Sequence, residues 1–199
     1  MNTNFYISRH LFSLLLLPLF LCLLTNLFQA RTLYAQDATI TDFTVSNSDS
    51  QLLLYLTVTD CFTDDMEAAI HNGIPATFTF YVDIYRQRPK WPDKKIGKYE
   101  FEHIMEYNSL KKEYKIYLDE KNDSRLTTSL DKAKILMSEI NGLKILPLNE
   151  VNPESSYRIK VKAKLARKTL PLYFHYLIPF TSLWDFETKW HELKIRLAL

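Results

Sequence analysis

The run YRIKVKAKL at 157–165 places an apolar residue at every odd position (Tyr157, Ile159, Val161, Ala163 and Leu165) and a cation at every even one. Successive side chains of a strand point to opposite faces. Strict alternation of this kind therefore describes a strand with one face in a core and the other in solvent. The same period recurs over most of residues 37–199. ATFTFYVDIYRQR sets Ala76, Phe78, Phe80, Val82 and Ile84 against Thr77, Thr79, Tyr81, Asp83 and Tyr85. KYEFEHIMEY sets Tyr99, Phe101, His103, Met105 and Tyr107 against Glu100, Glu102 and Glu106. ATITDFTVSN and QLLLYLTV, joined by the polar SNSDSQ, read as a hairpin, and KEYKIYLDE and LKILPL as further strands.

Two stretches break the period. In CFTDDMEAAIHNG, Phe62, Met66, Ala69 and Ile70 fall on one helical face. Thr63 suits the N-cap, Asp64 and Asp65 suit the positive end of the dipole, and Asn72-Gly73 with Pro75 ends the helix. SLDKAKILMSEING repeats the scheme, with Ser129 as cap, Ala133, Leu136, Met137 and Ile140 as the apolar face, and Asn141-Gly142 as the stop. The closing WHELKIRLAL fits a helical and a strand template, and a strand from about Trp190 is the preferred reading. The expected fold is mainly β with an α+β tendency: an antiparallel β-sandwich-like domain with two short helices, after an N-terminal apolar segment.

That segment, 1–36, has no Asp or Glu, and its only Lys or Arg residues are Arg9 and Arg31. It contains the apolar run LFSLLLLPLFLCLLTNLF at 11–28. A short basic start before such a run is the pattern of an export signal. The run is about as long as a minimal membrane-spanning helix, so a cleaved signal and an anchor in the inner membrane both fit. Ala35 in TLYAQ is the best cleavage position; Pro18, Thr25 and Asn26 weaken the anchor. Leu21 before Cys22 speaks against a lipid-attachment cysteine. Residues 37–199 are thus expected as one periplasmic domain of about 160 residues, enough for a core of its own.

Arg9 and Arg31 account for the net charge of +2, so the remaining chain is neutral and shows no footprint for nucleic acid. With Gly73, Gly97 and Gly142 its only glycines, it has no glycine-rich phosphate cradle. Cys61 is the one cysteine after the signal, and a buried apolar role is expected for it. His71, His103, His175 and His191 stand at no metal-ligand spacing, so neither a metal nor another cofactor is expected. His71 is expected to bond the carbonyls at the end of its helix, and His103 to pack on the apolar side of its strand. No G-x-S-x-G occurs, and Glu100 with Glu102 reads as a solvated strand face rather than a catalytic pair, so no catalytic residue is assigned. The most distinctive loop is RQRPKWPDKK, where Trp91 stands between two prolines beside Arg86, Arg88 and several lysines. A tryptophan held among arginines makes a good contact for an anionic or membrane-interface partner; the plainer reading tucks Trp91 onto the sheet. The aromatic stretch LPLYFHYLIPFTSLWDFETKW adds Trp184 and Trp190 as contact candidates, with core lining the default.

FTDDMEAAIHNGIPATFTFYVDIYRQRPKWPD, the later YRIKVKAKL and LPL, and SLWDFETKW together resemble a bacterial family of exported proteins, domain of unknown function 4390. The resemblance covers nearly all of 37–199. It implies a small exported or membrane-anchored protein and carries over no activity or catalytic residue. Members are encoded in some bacteria beside a nitrogen-type two-component sensor kinase, which implies an accessory role in envelope signalling. The expected function is a non-catalytic module that binds an envelope or membrane protein at the membrane surface, through Arg86, Arg88, Trp91, Trp184 and Trp190. A carrier of an apolar or lipidic ligand is the alternative, and a hydrolase with an unrecognised site the third reading.

Overall fold

The computed structural model describes residues 38–165 and 186–196. All lie in the second of two compact units, Ala35–Leu199. The expected export segment 1–36, with the apolar run 11–28, lies outside the described residues, as do Trp184 and His175. Among the described residues no helix is long and apolar enough to cross a membrane.

The alternating runs form two antiparallel sheets around one apolar core. Strands β1 (Thr39–Asn47), β2 (Gln51–Thr59) and β7 (Glu139–Pro147) form the smaller, in the order β1-β2-β7. The larger has the order β6-β5-β4-β3-β8-β9, from β3 (Ala76–Arg86), β4 (Lys94–Asn108), β5 (Glu113–Leu118), β6 (Asp123–Thr127), β8 (Ser156–Leu165) and β9 (His191–Arg196). The sandwich-like, mainly β fold read from the sequence is the one observed. Leu52, Leu54, Leu56 and Val58 of β2 share a single core with Phe78, Phe80, Val82 and Ile84 of β3 and with Tyr157, Ile159, Val161 and Ala163 of β8. Two hydrogen bonds tie the sheets near their flanks: the Tyr99 hydroxyl of β4 donates to the Ile145 carbonyl of β7 at 2.7 Å, and Thr39 Oγ1 of β1 lies 3.5 Å from His191 Nε2 of β9.

Helix α1 (Asp64–His71) is capped as expected, Thr63 accepting from Met66 N–H at 3.2 Å. Its end is a Schellman turn: Gly73 N–H donates to Ile70 O and Ile74 N–H to Ala69 O, with Gly73 at φ +84°. Helix α2 (Leu130–Ser138) starts on its expected cap, Ser129, but ends at Ser138 rather than at Asn141-Gly142. Ile140 is already a residue of β7, paired with Leu56. The cause lies in the register. Two irregularities in β7 place Ile140, Leu143 and Leu146 opposite Leu56, Leu54 and Leu52, so its apolar residues recur every third position and imitate a helix. Gly142, at φ +78°, occupies the first irregularity. A bulge at Asp42 (φ 51°) likewise shifts the phase of β1, so that Ile40 before it and Phe43 and Val45 after it all face the core.

A methyl group at Gly142 would meet nothing closer than 3.7 Å, so its only cost is the left-handed backbone. Gly142→Ala is therefore expected to lower stability by about 1–2 kcal/mol in urea unfolding of the full chain. An unchanged midpoint would show that the bulge relaxes when substituted.

Candidate functional site

Strand β3 ends at Arg86, half-buried and paired with Lys94 of β4 and Tyr157 of β8. The ladder runs one step further, Gln87 N–H donating to Ser156 O at 2.8 Å, before the loop 87–93 turns out of the sheet. The Arg88 guanidinium closes that loop on itself: Nε and Nη2 donate to the Pro92 carbonyl at 2.9 and 2.6 Å. Asp93 is fastened to Arg158 of β8. Trp91 does not tuck onto the sheet. It is 73% exposed on this braced loop, with Lys90 and Lys94 exposed beside it. Trp190, 43% exposed, precedes β9, its ring 5.3 Å from Lys162 Nζ. The register sets His191 beside Val161 and Val161 beside Val82, four positions from Arg86, or roughly 13 Å along the strand. Trp91 and Trp190 thus stand apart, and Trp184 lies outside the described residues.

The outer face of the larger sheet carries the cations of β8 over the tyrosines of β3. Arg158 lies over Tyr85, and Lys162 and Lys164 over Tyr81, at 5.3–5.5 Å from the ring centres. Carboxylates neutralise most of this face. Lys160 meets Glu192 at 2.5 Å, Lys162 meets Glu187 at 2.6 Å, and Lys95 meets Asp83 at 2.7 Å. Glu187 and Glu192 are held below the ordinary carboxylate range by those lysines, but both are exposed and such pairs add little stability. Glu100, 3.4 Å from Lys98, is exposed, whereas Glu102 is half-buried. Cys61 is buried, its thiol donating to Val58 O, and burial pushes it up to about 12, so it is chemically quiet.

His71 departs from the expected bond to helix carbonyls. The Schellman turn satisfies those groups with backbone N–H, and His71 Nε2 instead meets the Tyr114 hydroxyl, its ring edge-on to Tyr107 at 5.1 Å. His103 packs where the pattern of β4 puts it, fully buried against Phe80 and Phe101. Its polar partners are the part the sequence analysis did not find. Nδ1 lies 3.1 Å from the Met137 carbonyl at the end of α2, and Nε2 lies 2.9 Å from Glu120 Oε2 in the 3-10 turn Asp119–Lys121 that follows β5. A carbonyl only accepts, so we assign a proton to Nδ1; the Nε2–Oε2 contact needs a second proton. Burial pushes the Glu120 carboxyl up, but the hydrogen bond and charge of His103, with the turn's own N–H, outweigh it and hold the group below its ordinary value. We assign the shared proton to nitrogen, which makes the contact an imidazolium–carboxylate pair whose side chains are 0% and 4% exposed.

With Oε2 engaged by His103, Glu120 Oε1 is buried and has no hydrogen-bond partner among the described residues. Glu120 lines a cleft of about 660 Å³ between β4, the 119–121 turn and β7, together with Tyr99, Lys121, Gly142 and Lys144. No local spacing points from His103 to Glu120, 17 residues away. The only signal was that a histidine on a core face needs a partner for each nitrogen.

A family model described as Domain of unknown function (DUF4390) matches residues 35–194. Neither the curated proteins nor the solved structures contain a match to the chain.

Removing one member of the buried pair leaves the other without its countercharge, which typically costs about 3–5 kcal/mol. His103→Leu and Glu120→Met are each expected to destabilise on that scale, and the double variant by less than either single one, in chemical denaturation. Additive losses would show that the two side chains do not act as a pair. Because the Glu120 carboxyl is held below its ordinary 4.5, the carboxylate's contribution to stability is lost as the pH falls through that depressed value. Acid titration of stability should show this limb in the wild type and lose it in Glu120→Gln.

Proposed function

The chain belongs to the DUF4390 family, and we propose that it is a non-catalytic partner-binding module working at the membrane surface of the cell envelope, as an accessory to an envelope or signalling protein. One observation carries the reading: Trp91 stands 73% exposed on a loop closed by Arg88 and fastened to the sheet through Asp93 and Arg158. The loop that carries this large aromatic ring is already braced. Burying it in a partner therefore costs little conformational entropy, and such residues dominate interface energies. Lys90 and Lys94 flank the ring and favour an acidic rim on the partner. The apolar run at 11–28 supports a location at the membrane, either during export or as an anchor.

Affinity capture of the full chain from envelope membranes tests the reading by comparing variants. Trp91→Ala should lower recovery of a partner by roughly thirtyfold, the equivalent of about 2 kcal/mol for a central tryptophan. Arg86→Glu should reduce it further by reversing charge beside the loop. Leu110, 94% exposed in the turn between β4 and β5 at the far end of β4, supplies the control. Equal recovery from wild type and Trp91→Ala, or a loss confined to Leu110→Ala, would contradict the assignment of the 87–93 loop.

A further inference from the structure

The charges of the larger sheet are unevenly placed. The ends of β3, β4, β8 and β9 meet at one end of the sheet: Arg86 pairs with Lys94 and with Tyr157, and Ser156 with Arg196. The loop 87–93 leaves from this end, and Asp93 ties it to Arg158, whose neighbour on β9 is Lys194. Trp91 therefore projects from strand ends that also carry Lys90, Lys94, Lys194 and Arg196, all exposed. Asp93 and Glu192 are already taken by Arg158 and Lys160. None of the four exposed cations forms an ion pair among the described residues. Against them the turn 152–155 before β8 sets one exposed carboxylate, Glu154.

Residues 37–199 are neutral as a whole, so this excess is balanced elsewhere. Asp60, Asp64 and Asp65 are exposed just before and at the start of α1. The ring of Phe62 lies 5.2 Å from that of Phe78, which fixes this acidic stretch near residue 78 of β3, roughly 26 Å along the strand from Arg86. A domain with its charge separated in this way turns its basic end toward an anionic surface and its acidic end away. The form of the basic end narrows the choice of surface. Its cations stand around a projecting tryptophan, on the loop and on the ends of β4 and β9. A tryptophan favours the boundary between hydrocarbon and lipid headgroups, where its ring is buried and its N–H stays wet. Lysines and arginines reach from there to phosphates.

We infer that this end of the larger sheet docks on an anionic phospholipid surface: the Trp91 indole enters the boundary between headgroups and chains, and Lys90, Lys94, Lys194 and Arg196 meet lipid phosphates. This docking rests on the reading above, that the module works at a membrane surface, and names the part of that surface the protein touches. A protein partner with an acidic rim needs the loop and its flanking lysines. A broad anionic surface reaches β9 as well, so Lys194 and Arg196 separate the two. Each cation held near such a surface strengthens docking about fivefold.

The full chain reconstituted into vesicles tests it, with phosphatidylcholine alone or mixed equally with phosphatidylglycerol, each doped with lipid brominated near the glycerol end of its chains. The emission lost in Trp91→Phe isolates the Trp91 signal from those of Trp184 and Trp190. In the anionic vesicles that signal should be quenched by the brominated lipid and shielded from acrylamide. In phosphatidylcholine, or at high salt, acrylamide alone should quench it. Lys194→Ala/Arg196→Ala, altered only at exposed positions, should lower the ratio of docked to free Trp91 about twenty-five-fold on the anionic vesicles. Equal lipid quenching in both kinds of vesicle, no lipid quenching in either, or an unchanged ratio in the Lys194→Ala/Arg196→Ala variant would overturn the inference. If Trp91 stays open to acrylamide on anionic vesicles while Trp91→Ala still lowers recovery of a protein in affinity capture, lipid docking falls and the partner-binding reading stands.

Discussion

A charged pair buried between a sheet and the end of a helix needs partners for its polar atoms, and both nitrogens of His103 and one oxygen of Glu120 have them. The imidazolium gives one proton to the Met137 carbonyl, one of the last carbonyls of α2, which the helix cannot satisfy itself. It gives the other to Glu120, drawing the turn after β5 onto β4. Three elements distant in sequence thereby converge on one side chain. Their convergence also shapes the cleft, because the groove beside β4 runs between that turn and the strand that leaves α2. The cost of burying both charges is offset only while both members are present.

The larger sheet was open to reading because its strands obey the rule of alternation without interruption. Phe78, Phe80, Val82 and Ile84 in β3 and the odd residues of β8 are buried as the pattern requires. The smaller sheet hides the same rule behind bulges. In β7 the apolar residues fall at 140, 143 and 146, a spacing a helix would also use, and only pairing with β2 decides between them. Strand β6 (DSRLT) shows no alternation because it is a short edge strand with no buried residue, so nothing in its composition records the pairing with β5. The choice of a strand for the C-terminal segment matches β9, whose His191, Leu193 and Ile195 are half-buried while the residues between them are exposed.

The candidate sites divide along the same line. A loop such as 87–93 announces itself, since it sets a tryptophan between prolines beside arginines. What the sequence could not supply was the direction of each side chain: Arg88 turned inward on Pro92, Trp91 outward into solvent. Glu120 was invisible for a different reason. In sequence it is one more acidic residue in a polar turn, LDEKNDS, and its importance arises from a fold that carries it to the ring of His103. Buried polar contacts between distant segments leave no periodic trace, whereas core faces do.

The state of His103 is the point on which both the pair and the end of α2 turn. Long-range proton–nitrogen correlation NMR of nitrogen-15-labelled protein reads that state directly. If the pair is as described, Nδ1 and Nε2 of His103 both resonate as protonated imidazolium nitrogens, and in Glu120→Gln the doubly protonated signature is lost. A wild-type spectrum with one bare His103 nitrogen would contradict the charged pair and, with it, the account of how this part of the fold is held.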